Sequence, residues 1–347
     1  MGKKFLVFTD IHFGEHGNSD DFNQSCLDFI EFMADYYRSN VPEEGRGGAI
    51  FMGDWYHSRN QVNVKTMDYA VSGLRLLNER LPKTYMILGN HDLFYLDRRD
   101  ITSVHLPNGS TNIQVIAEPT RLTLDGKDCI LCPWLVGEET VSGVLTGYIT
   151  APDYVFGHFE LPSFYLNRSV VFKPDEDFDI GVFKGVKRIF SGHFHKRQER
   201  ANICYIGNCF SHNFSDTNDY HNKGFGIVDM QENAVEFVEW NDAPKYICTK
   251  LSDIATIQND LNKTVHLRLI NDAGLMPNEL NTISEKLEAG FGVTDTSFIQ
   301  PDLVTENRTD ETLEHVSDIN KLVIDSISGM TFNGLSTTRL VELYQSL

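Results

Sequence analysis

The stretch FLVFTDIHFG at residues 5–14 places an aspartate and a histidine directly after a short apolar run. The four consecutive apolar residues from Phe5 to Phe8 predict a first β-strand. Asp10 and His12 follow that strand, and both are residue types that bind transition-metal ions. Taken alone, an Asp-x-His pair at a strand end is also compatible with a solvated surface turn.

Four further clusters follow apolar runs in the same way. They are GDWYH at 53–57, GNHD at 89–92, GHFE at 157–160 and GHFH at 192–195. In the last cluster His193 and His195 stand two apart, so an extended backbone would place both rings on one side and turn Phe194 away. Each cluster alone is weak, because Gly, Asp and Asn also populate turns. Five independent turns would rarely present this set of ligand types by chance.

Strand and helix patterns alternate through the first two thirds of the chain. Helical spacing of apolar residues predicts helices over Asp21–Ser39 and from about Val64 to Leu81, the second with a stripe of Met67, Val71, Leu74 and Leu77. The predicted strands are Phe5–Phe8, Ala49–Met52, Thr84–Leu88, Ile113–Ile116, Cys129–Leu131, Tyr154–Phe156 and Arg188–Phe190. This alternation predicts an α/β fold with layered sheets. Since ligands bind at the carboxyl ends of strands in such sheets, the five clusters could meet at one rim.

The pattern changes after residue 200. The runs FGIVDM and AVEFVEW, joined by QEN, predict a β-hairpin, and NDAPK at 241–245 reads as a linker. Beyond it, KTVHLRLI predicts a strand and NELNTISEKLEAGF a helix. We therefore expect a main domain over 1–242, a small α+β domain over 243–304, and a linker with C-terminal helices over 305–347.

Composition limits the classes of function. The chain has 347 residues and a formal net charge of −19, which argues against a surface coated with basic patches for nucleic acid. It contains no run of about 18 apolar residues, so no transmembrane helix is expected. The six cysteines are dispersed, and reduced thiols in the cytoplasm are the simpler reading.

The ligand types indicate the metal chemistry. An aspartate can bridge two cations, a histidine supplies a neutral nitrogen, and an asparagine supplies a carbonyl oxygen without adding charge. Two divalent cations about 3.5–4 Å apart can clamp the attacking and leaving oxygens of an in-line displacement at phosphorus. A mixture of nitrogen and oxygen ligands suits Mn²⁺, Fe²⁺ or Zn²⁺ better than Ca²⁺.

The ordered series D-x-H, G-D, G-N-H-D, G-H and G-H-x-H resembles the calcineurin-like metallophosphoesterase superfamily. Within it, DIHFG, GDWYHSRN, and GNHD followed by CPW resemble the SbcD-type DNA repair nucleases. The phage branch of that family is most similar in length, in KTM after the second motif, and in GHFELPSFY and SGHFH. The resemblance covers about residues 4–240 and implies a β-sandwich flanked by helices, with a small α+β capping domain and C-terminal helices.

The resemblance also implies a ligand set for two metal ions, Mn²⁺ before Mg²⁺, Fe²⁺ or Zn²⁺. The first ion would be held by Asp10, His12, Asp54 and His195. The second would be held by Asp54, Asn90, His158 and His193, with Asp54 as the bridge. A hydroxide between the metals would attack phosphorus, because metal binding lowers the pKa of water.

Three further residues receive roles from the same resemblance. His91 would face the scissile phosphate and stabilise the transition state or protonate the leaving oxygen. Asp92 would orient a histidine. His57 would help to position the substrate, although the run HSRNQV lacks the proline that the family often places soon after this histidine. The remaining histidines match no metal motif and read as surface or structural residues: His16, His105, His212, His221, His266 and His315. The polar loop at 207–216 is given no chemistry.

The family assembles with partners. The helices after GDWYHSRN and GNHD would form a homodimer interface, and the stripe containing Met67, Val71 and Leu74 suits that role or packing on the chain's own sheet. The C-terminal helices, with Leu340, Leu343 and Tyr344, would bind an SbcC-like SMC-type ATPase in a heterotetramer, or pack within the chain.

The sequence thus predicts a two-metal DNA exonuclease and single-strand endonuclease, the nuclease half of an ATPase–nuclease complex in DNA recombination and repair. We expect it to act in the cytoplasm, which is the host cytoplasm if the protein is phage-encoded, and not to associate with a membrane. Two alternatives stay open. One is another phosphoesterase on the same site, acting on cyclic nucleotides or phosphoproteins, and the other is a non-catalytic scaffold that keeps the fold.

Overall fold

Two six-stranded mixed sheets and one three-stranded sheet organise the computed structural model, which describes residues 2–166, 171–172 and 180–301. The chain divides into two compact units, Met1–Phe298 and Ile299–Leu347. Most of the second unit, including the predicted C-terminal helices and their Leu340, Leu343 and Tyr344, lies outside the described residues.

The elements of the first unit have the following bounds. The strands are β1 Lys4–Phe8, β2 Arg46–Met52, β3 Thr84–Ile87, β4 Ile113–Ile116, β5 Thr120–Leu124, β6 Lys127–Cys132, β7 Tyr154–His158, β8 Arg188–Gly192, β9 Gln198–Arg200, β10 Ile203–Tyr205, β11 Gly224–Asp229, β12 Ala234–Glu239, β13 Lys245–Lys250, β14 Val265–Ile270 and β15 Asp295–Ile299, whose last residue opens the second unit. The helices are α1 Glu15–Asn18, α2 Asp20–Asn40, α3 Val64–Arg80, α4 Val141–Thr146 and α5 Pro277–Phe291.

The two large sheets pack face to face as a sandwich. Their strand orders are β12-β11-β1-β2-β3-β4 and β5-β6-β7-β8-β10-β9. Alternation along β1 shows why: Phe5 and Val7 face the second sheet and share a buried cluster with Phe156 and Phe190. Leu6 and Phe8, which alternate with them, face the opposite way, toward the helical layer. Parallel strands buried on both faces carry the near-continuous apolar runs that the sequence shows. The predicted α/β class and helix-flanked sandwich are confirmed.

Helix α2 matches its prediction closely. The Ser19 side chain accepts a hydrogen bond from the Phe22 backbone and caps the helix. Its buried face carries Phe22, Cys26, Phe29, Ile30 and Met33. These side chains cover the outer face of the first sheet and close the larger of its two cores.

Helix α3 is present, but its buried face differs from the predicted stripe. Met67 is 46% exposed, whereas Ala70 and Gly73 are buried. A Cβ added at Gly73 would lie 2.9 Å from the Ile30 side chain, so the contact with α2 depends on the absence of a side chain there. The predicted stripe is confirmed at Leu74 and Leu77, which are buried, and is wrong at Met67. Small residues such as Ala70 and Gly73 carry no hydrophobic signal in the sequence, although they form part of the contact. Leu74 packs in this core and not on a dimer surface.

The predicted helix after GNHD does not exist among the described residues. Asn90–Asp92 form one turn of 3₁₀ helix, and 93–112 follow an irregular path closed by a bridge between Leu93 and Thr102. Arg99 holds this loop from inside, donating to the Trp134 carbonyl at 2.9 Å and pairing with Glu118. The expectation that helices from both motifs form a dimer interface is therefore wrong for the second motif.

The third sheet, β13-β14-β15, has its own small core with α5. The predicted strand and helix of this region are confirmed as β14 and α5, and the predicted hairpin as β11 and β12. Strands β13 and β14 pair in parallel, joined by the 3₁₀ segment Leu251–Asp260. Among the described residues, none of the helices has the length and apolar character needed to cross a membrane.

Candidate metal centre

The loops after β1, β2 and β3 lie side by side at one end of the first sheet. The Asp10 backbone N–H donates to the Gly53 carbonyl at 2.9 Å, and the backbones of Phe13 and Trp55 are joined in the same way. Because β1, β2 and β3 are parallel, their carboxyl ends share this edge. The carboxyl ends of β7 and β8 in the second sheet reach the same place.

Several backbone positions at this edge adopt an unusual conformation. Asp10, His12, Asp54 and His193 all have positive φ angles, between 53° and 83°. Left-handed backbone is disfavoured for residues with a side chain and is concentrated at functional sites. Four of the seven predicted ligands are therefore held in strained conformations by the fold around them.

The glycines before two of these ligands are required by close approach of the loops. A Cβ on Gly89 would lie 2.1 Å from Asp54 Oδ1, and one on Gly53 would lie 2.4 Å from His158 Nδ1. Gly53 also has a φ of 105°, which favours glycine. Gly53 and Gly89 thus each make room for a side chain from another motif.

Asp54 lies at the middle of the cluster. Its Oδ2 atom is 3.3 Å from His158 Nε2 and 3.6 Å from His12 Nε2. Its Oδ1 atom accepts a hydrogen bond from the His91 backbone at 2.9 Å. One carboxylate therefore faces histidines from two different sides.

On one side of Asp54 lie Asn90, His158 and His193. Asn90 Oδ1 is 2.9 Å from His158 Nε2 and 3.1 Å from His193 Nδ1. The other nitrogen of His158 lies 2.6 Å from the Met52 carbonyl, which fixes the ring. Asp54, His158 and His193 offer ligand atoms within 4.8 Å of one another.

On the other side lie Asp10, His12 and His195. Asp10 Oδ1 is 3.8 Å from the Nε2 atoms of both His12 and His195. Asp10, His12 and Asp54 form a second group whose ligand atoms lie within 4.8 Å of one another.

His193 and His195 therefore join different groups, although they are two residues apart. The His193 ring faces Asn90, and the His195 ring faces Asp10. Phe194 between them is fully buried and stacks on Tyr205 with ring centroids 4.8 Å apart.

The Asp92 carboxylate accepts hydrogen bonds from the backbone of two loops. Its Oδ2 atom accepts from the backbone N–H groups of Asp54 and Gly89, both at 2.9 Å. Its Oδ1 atom accepts from Trp55 at 2.9 Å and Tyr56 at 3.3 Å. The carboxylate therefore ties the loop that carries Asp54 to the loop that carries Asn90. These contacts make Asp92 a backbone anchor.

His91 and His57 lie beside the cluster, on the side of His12. The His91 ring is 4.8 Å from the His12 ring, centroid to centroid, and its Nδ1 atom is 2.6 Å from the His57 carbonyl. A carbonyl only accepts, so Nδ1 carries the proton in this contact and Nε2 is the basic nitrogen of the neutral ring. The contact links His57 to the site through its backbone.

The electrostatics of the cluster set the protonation states of its residues. Burial lowers the pKa values of His12 and His193, so both rings are neutral at pH 7, the form that binds a metal. Burial also lowers the pKa of His158, but Asp54 and Asp10 outweigh it and raise that pKa to about 9. Burial alone raises the pKa of Asp54, but His158 and His91 hold it well below its usual range.

Two buried histidines fit a bound cation in a further way. Within the part of the chain that the structure describes, neither ring nitrogen of His12 has a hydrogen-bond partner, and the same holds for Nε2 of His193. A buried polar atom without a partner costs roughly 1–3 kcal/mol. Nitrogen lone pairs beside carboxylate and amide oxygens are the donors that a divalent transition-metal ion takes, so the residues fit such an ion.

The structure adds one histidine that the sequence reading placed outside the site. His212 is fully buried, with its ring 5.3 Å from that of His12 and 5.2 Å from that of His195. It stands in the loop 207–216, which no metal motif marks. The loop follows β10, which pairs with β8, and this position is the feature that could have indicated that His212 lies near the site. Of the other histidines left unassigned, His221 is exposed, whereas His16 contacts the His212 carbonyl.

A buried lysine was also missed. The Lys223 ammonium donates to the His195 carbonyl at 2.9 Å, to Asp216 at 2.9 Å and to Asp219 at 3.2 Å. Asp216 in turn accepts from the His212 backbone at 2.9 Å. One buried charge cluster thus holds the backbone of two histidines of the site.

A sandwich with paired carboxylates, histidines and an asparagine at its strand ends defines a metal-dependent phosphoesterase. Residues 3–197 match the family profile of the calcineurin-like phosphoesterases, which is more than half of the 347 residues. The chain belongs to the calcineurin-like phosphoesterase family.

The chain is also similar to individual proteins. It is 29% identical over 247 residues to exonuclease subunit 1 of Enterobacteria phage T4, a match that covers 69% of this chain and 68% of that protein. Among solved structures, Pseudomonas putida nuclease MPE is 17% identical with a TM-score of 0.29, over 58% of this chain and 66% of that one. Protein AQ665 of unknown function from Aquifex aeolicus is 14% identical with a TM-score of 0.27, over 66% of this chain and 97% of that one.

Proposed function

We propose that this chain is a two-metal DNA exonuclease and single-strand endonuclease, and the nuclease subunit of an SbcCD-like complex. The observation that carries the proposal is the position of Asp54 between two groups of ligand atoms. The similarity to a phage protein named as an exonuclease subunit supports a nucleic-acid substrate and a partner protein.

The two groups correspond to two cation sites. Asp10, His12, Asp54 and His195 would hold the first ion. Asp54, Asn90, His158 and His193 would hold the second. When bound, two divalent cations supply electrostatic stabilisation of the phosphoryl transition state and activation of the attacking water. The donor set mixes imidazole nitrogen with carboxylate and amide oxygen, which suits Mn²⁺, Fe²⁺ or Zn²⁺. The resemblance to the SbcD-type nucleases puts Mn²⁺ first among these.

His91 is the residue proposed to act on the substrate. The His57 carbonyl fixes the His91 ring through Nδ1, so Nε2 would face the reacting phosphate. In the protonated ring Nε2 can donate to a phosphate oxygen or to the leaving oxygen. Asp92 contributes by holding the loops of Asp54 and Asn90 together, and His57 by positioning His91.

The chain's acidity suits this function only with partners. A net charge of −19 repels DNA, so bound cations and a second subunit would supply local positive charge. We propose a homodimer, supported by exposed apolar side chains at the start of α3 and in the loop that follows GNHD, among them Met67 and Leu96. Residues 243–304 would cap the site and contact DNA, and 305–347 would bind the SMC-type ATPase.

A panel of substrates tests the proposal. The chain would be assayed with Mn²⁺ on single-stranded and double-stranded DNA, cyclic nucleotides and phosphopeptides, with and without the ATPase and ATP. We expect hydrolysis of DNA, weak for the chain alone and greater in the complex. Hydrolysis of cyclic nucleotides or phosphopeptides in preference to DNA would contradict the proposal and favour the small-substrate alternative. Fewer than one bound ion per chain would favour a scaffold.

A further inference from the structure

The ring of His212 lies beside the rings of His12 and His195, although His212 is not one of the seven proposed ligands. One ring nitrogen each of His12, His195 and His212 lies within 4.8 Å of the other two. The three rings meet edge to face, with centroid distances of 5.2–5.3 Å. Three imidazoles this close bring three nitrogen lone pairs toward one point.

The ring of His212 is buried beside one carboxylate. Its Nδ1 atom lies 3.2 Å from Glu15 Oε2, without hydrogen-bond geometry. Across the described ranges of the chain, Nε2 of His212 has no hydrogen-bond partner at all. A fully buried imidazole with an unmatched nitrogen is costly unless that nitrogen binds something.

The surroundings of His212 fix its position. Its backbone N–H donates to Asp216, and its carbonyl lies 2.6 Å from His16 Nε2. Glu15 is held on its far side by the Asn213 side chain at 3.3 Å. In metal sites the ring nitrogen of a histidine ligand that does not bind the ion commonly faces a carboxylate, which orients the ring. Nδ1 of His212 faces Glu15 in this way, which leaves Nε2 for an ion.

We propose that His212 is a further ligand of the first ion, the one assigned to Asp10, His12, Asp54 and His195, and that Glu15 is a positioning residue for its ring. This inference rests on the proposed two-metal site. The first ion would then have three imidazole nitrogens, and the second ion two. Because imidazole favours transition-metal ions over Mg²⁺, the first site would reject Mg²⁺ more strongly than the second.

The test uses the full chain, MnCl₂ and MgCl₂ as probes, and His212→Gln, Glu15→Gln and His221→Gln as variants. His221 is the matched control, because it is an exposed histidine on the neighbouring turn. Calorimetry gives the number and affinity of bound ions, and pulsed electron paramagnetic resonance of bound Mn²⁺ counts coordinated imidazole nitrogens. Far-UV circular dichroism verifies that each variant is folded.

We expect two Mn²⁺ ions in the wild type, with one site weakened about 10–100-fold by His212→Gln and the other unchanged. The nitrogen count should fall by one, and the preference for Mn²⁺ over Mg²⁺ at the weakened site should fall with it. Glu15→Gln, which leaves the His212 ring in place, should weaken the same site by a smaller factor and serves as the test if His212→Gln does not fold. His221→Gln should match the wild type.

The outcomes separate the two ideas. Two ions in the wild type with unchanged affinity and nitrogen count in both site variants would overturn the role of His212 and leave the two-metal site standing. A wild-type chain that binds fewer than two ions would overturn the two-metal site itself, and the inference with it.

Discussion

Replacing Lys223 with methionine is expected to lower the free energy of unfolding by about 4 kcal/mol, within the range for breaking a buried ion pair. The ammonium is 1% exposed and lies 2.9 Å from Asp216 and 3.2 Å from Asp219, whose side chains are 4% and 7% exposed. Methionine has a similar shape but no charge. Its substitution leaves two buried carboxylates facing each other and the His195 carbonyl without its donor.

Urea unfolding at pH 7, followed by tryptophan fluorescence, measures this loss. Trp240 reports on the region, because its backbone N–H donates to the Lys223 carbonyl. Lys65→Met is the matched control: Lys65 lies 2.8 Å from Asp20, but both side chains are more than half exposed. Little change is expected there, since exposed pairs are screened by water. Adding Asp216→Asn and Asp219→Asn to Lys223→Met should restore at least half of the loss.

The reasoning fails if Lys223→Met is no more destabilising than Lys65→Met, or if neutralising both aspartates restores nothing. Either result would mean that the ammonium does not compensate the two buried charges. An unchanged slope of unfolding free energy against urea is required for the comparison, because a changed slope reports a different unfolded or native state.

Three further predictions concern the metal centre. Asp92→Asn keeps the shape of the side chain but replaces Oδ2 or Oδ1, each the acceptor of two backbone N–H groups. We expect the free energy of unfolding, measured in urea, to fall by about 2–3 kcal/mol, and Mn²⁺ binding, measured by calorimetry, to weaken. Asp97→Asn, at an exposed position, is the control and should change neither quantity. The pKa of His158 is raised to about 9, so at lower pH its ring carries an additional proton. A metal ion must displace this proton in order to bind. Mn²⁺ affinity should therefore rise from pH 7 to 9 and release about one proton, which calorimetry in buffers of different ionisation enthalpy detects; a pH-independent affinity would contradict this. Removing metal with EDTA should lower the melting temperature and Mn²⁺ should restore it, and an unchanged melting temperature would show that the site is unoccupied or uncoupled from folding.

The sandwich could be predicted from the sequence because its strands bury both faces. Continuous apolar runs such as Phe5–Phe8 and Ala49–Met52 can be recognised as strands without knowledge of their partners. The edge strand β9 and its neighbour β10 could not be predicted, since Gln198–Arg200 is polar and Ile203–Tyr205 is three residues long. The buried face of α3 could be predicted only in part: Leu74 and Leu77 are buried as expected, whereas Ala70 and Gly73 make contact by being small.

The ligand clusters could be recognised because each follows an apolar strand, and in four of the five a glycine directly precedes the ligand. The contacts of Asp92 and His212 could not be predicted, because they join segments distant in the chain. Asp92 binds the backbone of residues 54–56, and His212 meets His12 after about two hundred intervening residues. Neither contact leaves a periodic or local pattern in the sequence.

The most direct test of the two-metal mechanism is the rate of single-stranded DNA hydrolysis by wild type and His91→Ser, each with its content of bound Mn²⁺ measured in the same sample. His91 is held by the His57 carbonyl and is assigned to the substrate, not to either ion. We predict two ions in both proteins and a rate at least about 100-fold lower for His91→Ser. Cleavage by His91→Ser at the wild-type rate would contradict the mechanism.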